Sequence, residues 1–143
     1  MYRQMLTGNK AFKELFRALE AGETPILFHC SAGKDRAGVI SALLLRLLGA
    51  EDSAIYADYL YTNTALSHEL EEAQSAALAL SGDERAANYV LGFFAACPCW
   101  LAAALDTLDK RFYSIEGYIA QMTKVTGWEA EEFKRICIEK SPD

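Results

Sequence analysis

"ILFHCSAGKDRAG", Ile26 to Gly38, decides how the rest of the chain is read. The apolar triplet Ile26-Leu27-Phe28 runs into His29 and Cys30; small residues then carry Lys34, Asp35 and Arg36, and from Gly38 an apolar run, "GVISALLLRLL", extends to Leu48. Pro25 followed by three apolar residues reads as a short strand buried on both faces. The run after Gly38 is apolar nearly all round, as in a helix packed at the centre of a domain, and Gly49 is placed to end it. A reactive thiol therefore sits where a strand gives way to a helix.

In that position several backbone N–H groups can converge on one anion, with the positive end of the helix dipole behind them. Ser31, Ala32 and Gly33 are small enough for the backbone to curl around a phosphate, and Arg36 offers a planar fork for two of its oxygens. The same positive environment stabilises the thiolate of Cys30 and makes it a nucleophile at neutral pH. The chemistry follows: Cys30 attacks phosphorus, a phospho-cysteine forms, and the loop amides with Arg36 hold the transferring oxygens. No metal and no cofactor is required. The leaving oxygen needs a proton, and Asp35 is the acid that the sequence places within the loop. Asp35 could equally shape the loop by pairing with Lys34 or an arginine. An inactive phosphate-binding remnant and a sulfur-transfer site are further readings of such a loop. A Walker-type nucleotide loop is a poor match, because Phe28 stands where its first glycine belongs and Asp35 replaces the hydroxyl that binds magnesium.

Outward from the loop, 143 residues with 52% hydrophobic content suit one globular domain with a sizeable core. A net charge of -6 argues against nucleic acid as a partner, since a phosphate backbone is held by a basic face. "MYRQMLTGNKAFKELF" carries charges every few residues and lacks the apolar core of a signal peptide, so a cytoplasmic location is expected. The apolar run after the loop is broken by Arg46, well short of the roughly 20 residues that span a bilayer, and no integral membrane segment is expected. Without a secretory signal, Cys30, Cys97, Cys99 and Cys137 are expected to be reduced, the last three as small buried groups. Cys97-Pro98-Cys99 has one intervening residue, too few for a metal knuckle.

Helical periodicity dominates elsewhere. Phe12, Leu15, Phe16 and Leu19 share one face of a helix ending near Gly22. Asp52 or Ser53 can cap "AIYADYLYTNTAL", in which Tyr56, Tyr59 and Tyr61 are read as packing residues. Helices are expected over Ser67 to Leu80, stopped by Ser81-Gly82, and over Asp83 to Cys97. Pro98 then opens another through "CWLAAALDTLDKRF". Ser114 can cap "IEGYIAQMTKV", ended by Gly127, and "EAEEFKRICIEK" makes a last helix. The fold is thus mostly α with a single clear strand, Ile26 to Phe28. One strand cannot satisfy its own N–H and C=O groups. Another copy of the chain, a partner bearing the missing sheet, an unusual helical packing, or a longer α/β protein of which this is a piece would have to do so.

"HCSAGKDRAG" (His29 to Gly38) resembles the signature of the cysteine-dependent tyrosine phosphatases, in the atypical bacterial branch with Lys and Asp just before the arginine. "ADYLYTN" (Ala57 to Asn63) and "WLAAALDTLDKRFYSIEGYI" (Trp100 to Ile119) look like helical segments of that branch. The resemblance implies the C-terminal part of an α/β tyrosine phosphatase-like fold, so that residues 1–143 form a single, incomplete phosphatase domain. It implies a hydrolase of phosphorylated protein or phosphoinositide. Carried over by position, Cys30 would be the nucleophile, Arg36 the phosphate clamp and Asp35 the general acid. His29 would support the thiolate, Ser31, Ala32 and Gly33 would line the phosphate, and Lys34 would add charge toward a phosphate or lipid headgroup. Residues 65–97 would form a helical lid. Two departures stand out. Ala37 follows the arginine where the family has Thr or Ser, which removes a hydroxyl that would assist the departing thiolate. The family's N-terminal portion, with most of the sheet, would lie before Met1. The alternative is a truncated, catalytically impaired phosphate-binding module.

Overall fold

A computed structural model describes residues 2–7, 10–123, 133–134 and 137–138. Eight helices follow one another among them: α1 (Tyr2–Met5), α2 (Lys10–Glu20), α3 (Asp35–Leu47), α4 (Asp52–Ala65), α5 (Ser67–Ser81), α6 (Glu84–Phe94), α7 (Pro98–Phe112) and α8 (Ile115–Thr123). α3 is the central element, buried through Ala37, Gly38, Val39, Ile40, Ala42, Leu43 and Leu47, and it packs against α1, α4 and α8. α7 closes the other side against α1, α4 and α8, while α2 lays Phe12, Leu15 and Phe16 on the core. Each such aliphatic or aromatic side chain contributes about 1.5–3 kcal/mol when removed from water. Tyr118 stands at the centre, edge-on to Phe112 at 5.0 Å and to Phe16 at 6.1 Å between ring centroids.

Local signals set most helix ends. Gly49 at φ +84° lets Ala50 N–H reach the Leu45 carbonyl and Gly49 N–H reach Arg46, which ends α3 in a Schellman turn. Asp83 caps α6 through Oδ1 to the Arg85 N–H at 2.8 Å, and Ser114 Oγ caps α8 by accepting from Gly117 N–H at 3.0 Å. α3 begins at Asp35, earlier than the apolar pattern suggested, which puts Asp35, Arg36 and Ala37 in its first turn. The cap expected at Asp52 or Ser53 is not used: Glu51 precedes α4 and makes no side-chain cap bond, and Leu66 likewise precedes α5 without one. Gly127 and most of "EAEEFKRICIEK" lie outside the described residues.

The expected strand is not there. Among the described residues no β-strand forms, and Ile26 to Phe28 is an extended segment without a partner. Leu27 is 90% exposed, while Ile26 and Phe28 pack against the core, so the segment buries one face where the sequence suggested two. A ladder needs donors and acceptors on a neighbouring strand, and the described helices spend theirs internally. The cysteine expectation also fails: Cys97 and Cys99 are joined in a disulfide, Cys99 and Cys137 are exposed, and Cys97 is half-buried. Cys30 and Cys137 are free thiols.

α5 and α6 pair as a helical hairpin that touches the rest mainly at its base. α5 buries no residue, and α6 buries Ala87. Leu80, Tyr89, Phe93 and Phe94 are exposed on this hairpin. By length and apolarity Glu84–Phe112 would cross a membrane. It is nonetheless α6 and α7 divided by non-helical backbone at Ala95 and Cys97, and neither helix alone has the length to span.

Two buried side-chain polar atoms have no hydrogen-bond partner among the described residues: Arg46 Nη1, which instead pairs with the Asp109 carboxylate at 2.9 Å, and the Tyr118 hydroxyl, whose burial pushes the phenol's pKa up. An unpaired buried hydroxyl costs about 1–3 kcal/mol, so Tyr118→Phe should stabilise the chain by about 1 kcal/mol. Urea unfolding measures this, and a less stable variant would mean that the hydroxyl has a partner.

Candidate active site

The loop from His29 to Lys34 joins the extended segment to α3. It turns back through Gly33 at φ +68°, a left-handed conformation that a side chain would strain. The turn aims backbone N–H groups at the sulfur of Cys30. Burial alone would push that thiol up; hydrogen bonds from the backbone of Ala37, Ala32, Gly33 and Arg36 outweigh it, and the thiol's pKa falls below its ordinary value. Arg36, exposed on the first turn of α3, donates from Nη2 to Ser31 Oγ at 3.3 Å, so its guanidinium leans over the loop. The structure thus brings Cys30, Ser31, Ala32, Gly33 and Arg36 together around one sulfur. Among the described contacts His29 makes no hydrogen bond and is exposed.

Lys34 goes elsewhere. It is 6% exposed, and its Nζ donates to the carbonyls of Phe93 and Phe94, each at 3.0 Å, with Ala95 O at 3.5 Å. The ammonium thus caps the C-terminus of α6, where the helix dipole favours a cation. It also lies 5.0 Å from the Trp100 ring centroid and 3.5 Å from Asp35 Oδ1. Lys34→Met would strand the Asp35 carboxylate and the α6 carbonyls. Because the Asp35 side chain is 30% exposed, the cost should be about 2 kcal/mol, below that of breaking a fully buried pair. Urea unfolding should show the loss; an unchanged midpoint would mean that Lys34 ties nothing down.

Asp35 is held by residues that the sequence gave no reason to join. Tyr2 donates its hydroxyl to Asp35 Oδ1 at 2.5 Å and lies 2.8 Å from the Tyr59 hydroxyl. A phenol has one proton, so Tyr59 donates to Tyr2, and the backbone of Cys97 in turn bonds the Tyr59 oxygen. Burial first, then these bonds, push the Tyr2 pKa up, and burial does the same to Tyr59; both phenols stay protonated donors. Tyr59 also packs on Gly38: a Cβ there would stand 2.9 Å from the ring. Asn63 completes the arrangement, accepting from Ala96 N–H at 2.6 Å and donating to Ala96 O at 3.0 Å. A cavity of about 650 Å³ adjoins this cluster, walled by Tyr2, Lys34, Asp35, Phe93 and Trp100. In the sequence Tyr59 reads as a packing residue and Tyr2 carries no role; the one signal is the resemblance of "ADYLYTN" to a helical segment of the family. Among the described residues no three His, Cys, Asp or Glu side chains gather as ligands for a metal ion.

A thiolate ringed by amides under a guanidinium can bind a tetrahedral anion and attack it. Comparison with known proteins agrees with that chemistry. The model of the tyrosine phosphatase family matches residues 1–139. The chain is 36% identical to the triple specificity protein phosphatase PtpB of Mycobacterium tuberculosis, over 82% of this chain and 46% of that protein. It is 30% identical to a protein of Cupriavidus necator that carries a tyrosine-protein phosphatase name, over 81% of this chain and 41% of the relative. A shorter match, 45% identical over 34% of this chain and 17% of the relative, is to a tyrosine-protein phosphatase of Nostoc commune. The chain therefore spans less than half the length of these curated relatives. With the family model covering nearly its whole length, the chain belongs to the tyrosine phosphatase family.

Proposed function

We propose that the chain carries the catalytic loop of a phosphomonoester phosphatase that works through a phospho-Cys30 intermediate, with phosphotyrosine, phosphoserine or phosphoinositide as substrate. The observation that carries this reading is the set of four backbone hydrogen bonds that lower the Cys30 pKa within a loop closed by Arg36. Cys30 attacks in line, Arg36 and the amides hold the equatorial oxygens, and water hydrolyses the phospho-cysteine. Asp35, carrying a proton on Oδ2 when substrate binds, gives it to the leaving oxygen and recovers one from the water that hydrolyses the phospho-cysteine; Tyr2 and Lys34 both engage Oδ1 and leave Oδ2 for this role. His29, adjacent to Cys30 in the chain, supports the thiolate. Lys34, turned onto α6, contributes to the phosphate or headgroup field from behind the loop. Aromatic walls in the cavity beside Asp35 suit the ring of a phosphotyrosine. The α5–α6 hairpin, within residues 65–97, acts as the lid. Residues 1–143 make a single, incomplete phosphatase domain that pairs with a second copy or with a partner supplying the missing sheet, and a cytoplasmic location belongs to the same reading.

Trapping the intermediate tests this. Ala37 provides no hydroxyl to the departing thiolate, although its N–H still bonds the sulfur, so the phospho-enzyme should accumulate. After brief reaction with a radiolabelled phosphotyrosine peptide and an acid quench, the label should sit on the tryptic peptide containing Cys30. Phosphate that binds without ever becoming covalent would make the chain the impaired binding module instead.

A further inference from the structure

We propose that Cys97 and Cys99 form a reversible redox site at the hinge between α6 and α7, opened by a dithiol reductant and closed again by the oxidised dithiol. This inference is independent of the phosphatase reading. The bridge spans Pro98 alone, with Cα atoms 5.3 Å apart. A disulfide stabilises mainly by closing a long loop in the unfolded chain, and the effect grows with the logarithm of loop length. A loop this short places the bond at the bottom of that range, so stability does not account for it. Its position suits exchange instead. Cys99 is exposed and Cys97 half-buried, so an attacking thiolate can reach the bond. Cys97 is the N-cap of α7 and Cys99 its second residue, where first-turn amides and the helix dipole favour a leaving thiolate.

The bond also sits on backbone tied directly to the Cys30–Arg36 loop and the α5–α6 hairpin. Next to it, Ala96 is gripped on both its N–H and C=O by Asn63. Upstream, Lys34 holds the carbonyls of Phe93 and Phe94, and the backbone of Cys97 supports Tyr59, which leads through Tyr2 to Asp35. Opening the bond releases a constraint within this hinge. The reductant's thiolate attacks one sulfur, and the S–S electron pair leaves on the other as a thiolate, which takes a proton. The reductant's second thiolate then resolves the mixed disulfide. Two electrons and two protons pass to the chain, which ends with two thiols, and the dithiol ends as its cyclic disulfide.

The full chain, equilibrated in mixtures of reduced and oxidised dithiothreitol, acid-quenched and alkylated with iodoacetamide, reads out the couple by mass. Two alkylated cysteines are expected at the oxidising end and four at the reducing end, reversibly, with the far-ultraviolet circular dichroism unchanged. Cys97→Ser should give three at both ends; Cys99→Ser gives the same count if the first variant does not fold. Hydrogen exchange at Ala96 and Cys97 should quicken about tenfold on reduction while the α3 amides hold. Four alkylated cysteines throughout, a bridge that opens only in denaturant, or equal exchange at the hinge in both states would overturn the proposal.

Discussion

Cys30→Ser should lower the turnover of a small aryl phosphate by at least about 10⁴-fold, because removing the nucleophile of a covalent mechanism forfeits nearly all of its chemistry. The geometry makes this variant informative. The loop amides from Ala32, Gly33, Arg36 and Ala37 can hold an anionic sulfur, but a serine hydroxyl stays protonated at neutral pH even in that ring. Little else should change, since the side chain is half-buried in a loop and Ser differs from Cys by one atom. Chromophore release, with circular dichroism as a control on folding, checks the expectation. A variant within tenfold of the wild type would assign the chemistry to another residue. In the wild type, alkylation of Cys30 should reach half its maximum at a pH below that of an ordinary thiol, because lowering the pKa extends the reactive thiolate toward acid. The acid limb of turnover should move with it.

Arg36→Ala should cost about 10²–10³-fold in kcat/KM, the scale of losing a preorganised donor to developing charge. Arg36→Lys should recover little of it, since an ammonium is a point charge and cannot place two parallel N–H groups on two oxygens. Both variants should leave stability within about 0.5 kcal/mol, because Arg36 is exposed and its described side-chain bond is one long contact to Ser31 Oγ at 3.3 Å. Steady-state kinetics beside urea unfolding separates the two effects. A kinetic loss matched by an equal loss of stability would make Arg36 a structural residue of α3. Lysine restoring full activity would remove the case for a bidentate clamp.

The neighbouring Lys34 shows why such residues must be told apart by structure. In the sequence, Lys34, Asp35 and Arg36 are three consecutive charges with equal claims on a phosphate. In the fold, α3 begins at Asp35, and a helix turns successive side chains by about 100°. Arg36 therefore faces the loop, Asp35 faces Tyr2, and Lys34 passes under α6. The hairpin thus hangs from the loop between Cys30 and Arg36 by the lysine's bonds to Phe93 and Phe94, and its hinge from α4 by Asn63.

What the sequence alone determined is written within a turn or two of chain, although not all that lies so close is legible: Asp52 and Ser53 go unused as caps, and Cys97 and Cys99 pair across one residue. The spacing from Cys30 to Arg36, the small residues between them, the stop at Gly49, the cap at Ser114 and the start at Pro98 all act through backbone groups a few residues away. Tertiary structure decided what depends on distant partners: Tyr2 on Asp35 across 33 residues, Lys34 on α6 across about 60, and the unpaired state of Ile26 to Phe28. An extended segment becomes a strand only when another backbone supplies its hydrogen bonds, and no pattern within its own residues can say whether one does.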